Sequence, residues 1–252
     1  MESMNRLREV YQVDVDVVDF MGKLSINGLC SYMQAIAAKH ATKLGVNFYK
    51  SGERPTYYWI LSRVKYEIFS YPIWEDQVAL ETYPGGHDKL FAVRLFDLIN
   101  DQDELIGRIT GKYLLMDAER GRPMRIKGAE GPLTVLDFPY EGKKIDKINP
   151  PETILKEEVR KAYYSEIDLN GHMNNAHYIR WSVDMLPLEL LQEYEIESLQ
   201  INYNTSITYG VQVKLVMGQN EEGHYLIAGN SLDDAVNYFT SEIRLRKVSH
   251  ES

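Results

Sequence analysis

Seven residues near the start of the chain, Asp19–Ser25 (DFMGKLS), reappear 149 positions on as Asp168–Asn174 (DLNGHMN). That spacing is close to half of the 252 residues, and the Asp and the Gly coincide in the two copies. The hydrophobic pattern around each copy repeats too: a strand-like run, the turn, a helical stripe, then about four strand-like runs. A chain patterned in this way is constrained to a tandem of two like units. The copies differ in one respect. Asn170, His172 and Asn174 stand where the first copy has Met21, Lys23 and Ser25. The longer stretch Asp168–Trp181 (DLNGHMNNAHYIRW) holds one Asp, three Asn and two His, more titratable and amide groups than a structural loop needs. It is the candidate reactive centre, and one centre is expected rather than two.

The elements are read as follows. Val13, Val15 and Val17 alternate with Asp14 and Asp16, which predicts a strand over Val10–Phe20. Apolar residues at Ile26, Leu29, Cys30, Met33, Ile36, Ala37, Ala41 and Leu44 predict a helix after Ser25 that Gly45 closes. Strands are expected at Tyr57–Phe69, Gln77–Tyr83, Leu90–Leu98 and Leu105–Leu115, separated by turns at Tyr71-Pro72, Pro84-Gly85-Gly86 and Asn100-Asp101 and arranged as an antiparallel meander over the helix. Residues 118–151, rich in Gly and Pro with weak periodicity, read as a connection holding at most a short helix. The second half then gives a strand over Glu157–Ile167, a helix over Ala176–Leu186 ended by Pro187, and strands at Ser198–Thr208, Val211–Met217, His224–Ser231 and Asn237–Arg246. The domain organisation follows: 1–117, the connection 118–151, and 152–252.

Composition narrows the function. A formal net charge of −9 argues against whole-protein attraction to nucleic acid or an anionic membrane. One cysteine, Cys30, leaves no intrachain disulfide and no thiolate metal cage, which fits a reducing cytoplasm as the expected compartment. Cys30 itself is read as a small core residue. The N-terminal residues carry no apolar run of the signal-peptide kind, and no window approaches the length of a membrane span. No metal-ligand set or phosphate loop is present, so no cofactor is expected.

Four segments, HATKLGVNFYKSG, SRVKYEIFSYPIWEDQVALETY, GRITGKYLLMDAERGRP and DLNGHMNNAHYIRW, resemble segments of the plant-type and bacterial acyl-acyl-carrier-protein thioesterases, in the family's order and over about 200 residues. The resemblance implies an α+β double hot-dog fold: two antiparallel sheets, each wrapped around a long helix, able to merge into one continuous sheet. It implies that the first half binds the acyl chain and the second is catalytic. It implies hydrolysis of acyl-acyl-carrier protein to fatty acid and carrier thiol, with the carrier protein as partner and either a monomer or a homodimer as the assembly. The alternatives are an acyl-coenzyme A thioesterase and a hot-dog protein that binds acyl groups without cleaving them.

Thioester hydrolysis needs an activated water or nucleophile and donors for the charge that grows on the carbonyl oxygen. The resemblance assigns the catalytic roles to Asp168, Asn170 and His172, with Asp168 as base or water-positioning group. In an extended segment these three would face one side. Asn174 begins the next helix, whose exposed N–H groups favour an oxyanion, and is a substrate-binding candidate. Asn175 is read as the helix cap, and His177 as a packed or solvated residue. Trp59 is the candidate contact for the acyl chain. The family has a Glu-Cys pair on the strand after the second helix. Aligning on Tyr203 places Ser206 and Ile207 there, so Ser206 joins the candidate site as a water-positioning group and a cysteine nucleophile is ruled out at that point. The basic group Arg120, Arg122, Arg125 and Lys127 would suit an acidic carrier.

Overall fold

The computed structural model describes residues 5–46, 55–128 and 130–248. The repeat seen in the sequence recurs there in its backbone hydrogen bonds. The Asp19 N–H donates to the Lys23 carbonyl at 2.8 Å and the Gly22 N–H to the Asp19 carbonyl at 3.0 Å; the Asp168 N–H donates to the His172 carbonyl at 2.8 Å and the Gly171 N–H to the Asp168 carbonyl at 3.0 Å. Gly22 and Gly171 take φ of 75° and 77°, left-handed values that only glycine adopts without strain. In each copy Oδ1 of the aspartate accepts the N–H two residues on, Met21 at 2.9 Å and Asn170 at 2.8 Å. Each turn is closed by an antiparallel bridge, Val18 with Leu24 and Ile167 with Met173.

The chain divides into two compact units. One takes in the described residues up to Ser25 with Ser31–Val64 and Phe69–Ile145; the other takes in Ile26–Cys30, Lys65–Ile68 and the described chain from Asp146 on. In the first, β1 (Leu7–Gln12), β2 (Tyr57–Ile68), β3 (Gln77–Asp88), β4 (Phe91–Ile99) and β5 (Leu105–Asp117) stand in the order β1-β3-β4-β5-β2, and the two-residue β6 (Arg122–Pro123) pairs with β5. In the second, β7 (Lys156–Lys161), β8 (Tyr194–Tyr203), β9 (Gln212–Gln219), β10 (Tyr225–Asn230) and β11 (Asn237–Lys247) stand in the matching order β7-β9-β10-β11-β8. The expected meander is therefore replaced by a permuted one. The strand that follows the helix pairs with the last strand of its unit, and the strand before the turn joins the opposite edge.

The helix α1 (Ile26–Lys43) buries Ile26, Leu29, Cys30, Met33, Ile36 and His40, one face at helical spacing. It ends as the sequence predicts. Gly45 takes φ of 72°, its N–H donates to the Thr42 carbonyl, and the Val46 N–H donates to the Ala41 carbonyl at 2.9 Å, the two bonds of a Schellman cap. The segment HATKLGVNFYKSG runs beyond Val46 into residues outside those described. In the second unit α2 (Asn175–Val183) is nine residues long and α3 (Leu188–Glu193) follows Pro187. The expected helix over Ala176–Leu186 stops early because a residue before proline is pushed out of the helical region. The Leu186 N–H then bonds the Val183 carbonyl in a tightened turn.

Two predicted strands are also shorter than expected. β1 ends at Gln12 and β7 at Lys161, each seven residues before its turn aspartate. Val17 N–H donates to the Asp14 carbonyl, so the Val-Asp alternation lies in a turn favoured by aspartate, and Val15 is 71% exposed. In the second copy a 3₁₀ turn, Tyr164–Glu166, occupies the corresponding stretch.

A further difference is at Pro84-Gly85-Gly86. These residues lie inside β3, where the register with β4 shifts between Pro84 and His87. The reason is long-range. Residues from the connection dock there, with the His87 N–H donating to the Phe138 carbonyl at 2.7 Å and the Tyr140 N–H to the His87 carbonyl at 2.9 Å. A Cβ on Gly86 would lie 2.3 Å from the Phe138 carbonyl oxygen, and φ there is +83°. The connection is partly core: Ile126 and Leu136 are buried with Ala92 and Leu115.

The two glycine sites predict different losses. Gly22 has open space around a Cβ, so Gly22→Ala should cost only the left-handed strain, about 1 kcal/mol. Gly86→Ala adds a backbone clash and should cost about 3 kcal/mol. Denaturant midpoints measure both, and equal losses would contradict the close approach at Gly86.

Candidate active site

The candidate residues of the second unit assemble on the turn, on the loop that follows β8, and on the first turn of α2. The Met173 N–H donates to the Ile207 carbonyl at 2.7 Å, and His172 bridges Thr208 in an antiparallel pair. The turn and the Asn204–Gly210 loop are thus stitched together. The Ile207 N–H donates to the Tyr178 hydroxyl at 2.9 Å, which ties the loop to α2 as well. Burial, with a smaller push from the Asp168 charge, raises the Tyr178 hydroxyl to about 12, so it stays protonated at neutral pH.

Asp168, Asn170 and His172 are brought together, but not as an extended strand. The Asp168 carbonyl is turned back onto Gly171, so the three lie around a tight turn rather than along one strand face. Asp168 is half-buried, whereas Asn170 and His172 are exposed. The Asn170 side-chain amide sits 3.5 Å from Asp168 Oδ2, beside the carboxylate whose other oxygen holds the Asn170 backbone N–H. The carboxylate therefore has one oxygen committed to the turn and one facing the Asn170 side-chain amide.

Asn174 is the helix cap in place of Asn175. Its backbone is extended, and its side-chain oxygen accepts the Ala176 N–H at 2.9 Å. Two adjacent asparagines carry the same capping chemistry, and only the backbone angle chooses between them. Asn175 is the first helical residue, and its carbonyl accepts the Tyr203 hydroxyl at 3.2 Å. Ser206 is exposed, just before the buried Ile207. Carried one step on, the His172–Thr208 register sets Ser206 level with Asn174 rather than with Asp168. Cys30 is buried in α1.

Two residues of this region, Glu166 and Tyr178, went unread in the sequence, and His177, read as packed or solvated, is held beside Glu166. Glu166 accepts the Trp181 indole N–H at 2.8 Å and the Tyr163 backbone N–H at 2.9 Å. It stands 4.0 Å from Nδ1 of His177. His177 is half-buried, and withdrawal from water lowers its pKa below the ordinary histidine value against the pull of Glu166. Tyr178 braces the loop as described. Glu166 lies only two residues before Asp168, and His177 and Tyr178 fall inside the polar stretch. Their proximity was visible, though their bonds were not.

In the first unit Trp59 donates its indole N–H to the Val46 carbonyl at 2.7 Å and lines a cavity of about 180 Å³. Ala37, Ala38 and Ala41 of α1 contribute small side chains to its wall, with Val93, Tyr113 and Leu136 opposite. A cavity of roughly 150 Å³ is enough to admit benzene, so this one has room for a hydrocarbon segment. No helix among the described residues is long and apolar enough to cross a membrane, and none of their side chains cluster as a metal site.

The pattern of the acyl-ACP thioesterase N-terminal domain matches residues 4–129, and that of the acyl-ACP thioesterase C-terminal domain matches residues 151–240. The chain belongs to the acyl-ACP thioesterase family. It is 26% identical over 249 residues to the chloroplastic oleoyl-acyl carrier protein thioesterase of Coriandrum sativum, covering 85% of this chain and 66% of that protein. It is 25% identical over 198 residues to the dodecanoyl-[acyl-carrier-protein] hydrolase of Umbellularia californica, covering 73% of this chain and 52% of that one. The chain thus spans between about half and two thirds of the length of these relatives. Among solved structures, an acyl-ACP thioesterase from Bacteroides thetaiotaomicron superposes with a TM-score of 0.86 at 22% identity, covering 98% of this chain and all of that one. The 12:0-ACP thioesterase of Umbellularia californica superposes with a TM-score of 0.79 at 18% identity, covering 96% and 98%. The fold is the double hot-dog.

The lowered pKa of His177 carries a pH prediction. A histidine harder to protonate when folded than when unfolded makes the unfolded chain bind more protons. Stability therefore falls as pH drops below about 6.5. His177→Gln should flatten that part of the stability–pH curve, read from denaturant midpoints between pH 7 and pH 5. An unchanged slope would remove His177 as its source.

Proposed function

We propose that the protein hydrolyses fatty acyl thioesters of acyl carrier protein. Water attacks the thioester carbonyl, a C–O bond forms, and the C–S bond breaks to release fatty acid and carrier thiol. Asp168 holds the attacking water through the oxygen not committed to the turn and takes its proton, which then passes to the departing thiolate. Asn170 and His172, exposed on the same turn, orient water and substrate. The first backbone N–H groups of α2, pointing from its positive end, suit the oxyanion. Tyr178 and the Glu166–His177–Trp181 group position these parts without touching substrate. Ser206 is retained as a water-positioning group at the level of Asn174. The first half, residues 1–117, takes the acyl chain, with Trp59 in the cavity wall; residues 152–252 supply the hydrolytic groups.

The observation that carries this reading is the difference between two turns of one geometry. The first copy presents Met21 and Lys23, and the second presents Asn170 and His172 in a chain of the acyl-ACP thioesterase family. The exposed Arg120, Arg122, Arg125 and Lys127 support an acidic protein carrier over coenzyme A. A second reading, acyl binding without hydrolysis, draws on Ser206 and Ile207 standing where the family has Glu-Cys.

Thiol release from one acyl group carried on acyl carrier protein and on coenzyme A tests all three. The expected result is turnover of both, with higher kcat/KM on the carrier protein, and full activity in Cys30→Ala. A large excess for coenzyme A would move the substrate assignment. Acyl binding with no thiol release from either carrier would establish the non-hydrolytic reading.

A further inference from the structure

The cavity of the first unit is mostly apolar, with the hydroxyl-bearing Tyr113 and one charged side chain among its lining residues. Arg94, on β4, lines it. Arginine is never an acceptor and is always charged, so its bonds identify its neighbours' states. Its Nη1 donates to Nδ1 of His40 at 2.8 Å, which makes that nitrogen the acceptor and the imidazole neutral. The same Nη1 lies 3.3 Å from the Thr82 hydroxyl. His40 is fully buried on α1 and Thr82 fully buried on β3. Among the described residues no carboxylate lies within ion-pair distance of Arg94. Its pKa is lowered, chiefly by withdrawal from water. The side chain is half-buried, yet a guanidinium facing a mostly apolar cavity with no carboxylate partner is still an outlier, because charges drawn out of water are ordinarily paired. A cavity built only to grip hydrocarbon has no use for it.

We propose that this cavity selects acyl chains bearing an acceptor oxygen, a hydroxyl or a carboxylate, on the part of the chain that lies within it. His40 and Thr82 hold one edge of the guanidinium. The remaining N–H donors are the ones left to meet a ligand oxygen, by a charge-assisted bond that a carboxylate makes in bidentate form. A plain methyl-ended chain leaves those donors unmet and displaces whatever water they bind. The inference rests on the reading that the chain enters this cavity.

The test uses carrier-bound acyl chains of one length ending in methyl, hydroxyl or carboxylate, with wild type, Arg94→Met and Arg94→Lys. Wild type should favour an oxygen-bearing chain over the methyl-ended one by roughly 10- to 100-fold in kcat/KM, the value of a hydrogen bond to a charged group. Arg94→Met should reverse that order, and Arg94→Lys should restore part of it. Methyl-ended chains that wild type hydrolyses as well as or better than both others would overturn the proposal. If Arg94→Met fails to fold, the wild-type comparison decides alone. A parallel measurement separates this from the hydrolase reading: quenching of Trp59 emission by the free acids, with Trp59→Phe as control. Quenching stronger for the oxygenated acids, without any hydrolysis, would keep the inference and sink the reading. Hydrolysis with no response from Trp59 would do the reverse.

Discussion

A carboxylate oxygen accepting a backbone N–H two residues ahead, beside a glycine in the left-handed region, is the interaction on which both halves of the molecule are hung. It turns the chain sharply between the edge strand and the helix, at Asp19 and again at Asp168. The bridge that follows, Val18 to Leu24 and Ile167 to Met173, then sets the direction in which each helix starts. In the first unit the turn's corner carries Met21 and Lys23. In the second the same scaffold carries an amide and an imidazole on its exposed corner, so a structural device placed twice became a candidate reactive site once. This also explains why the aspartate alone could not announce chemistry: its twin holds a turn with the same backbone bonds, with Met21 and Lys23 for company.

The two units diverge in how they fill their helices. Along α1, Ala37, Ala38 and Ala41 leave room beside Trp59 and Leu136. Along α2, Tyr178 and Trp181 are buried, and Tyr178 meets Tyr203 and Phe239 edge-on at 5.3 and 5.4 Å. Small residues leave a cavity in one half, and aromatic residues pack the other around the turn. Under the proposed hydrolysis, rigid support matters more on the second side, since small displacements of a water-positioning group cost rate.

Local signals carried much of this. The Asp-x-x-Gly repeat located both turns, the apolar spacing of Ile26 to Leu44 gave α1, and Gly45 gave its end. What failed was set by distant partners. Pro84-Gly85-Gly86 has the composition of a turn, yet it is a bulge because Phe138 and Pro139 dock against it. Asn174 and Asn175 are interchangeable in composition and were separated only by backbone angle. Asp168, Asn170 and His172 would share one side only in an extended segment, and Gly171 instead bends them round a turn. The Arg94–His40 contact joins residues 54 positions apart and no pattern of either strand or helix marks it.

The central claim is that one of two like-built turns does chemistry and the other only holds shape. Turnover of acyl carrier protein substrates by Asp168→Asn and Asp19→Asn measures it directly, because asparagine keeps the oxygen that accepts the turn N–H while removing the charge. The account predicts a loss of about 100-fold or more in kcat for Asp168→Asn, with Asp19→Asn close to wild type and both variants folded. Equal rates in the two variants, whether both preserved or both reduced, would contradict it.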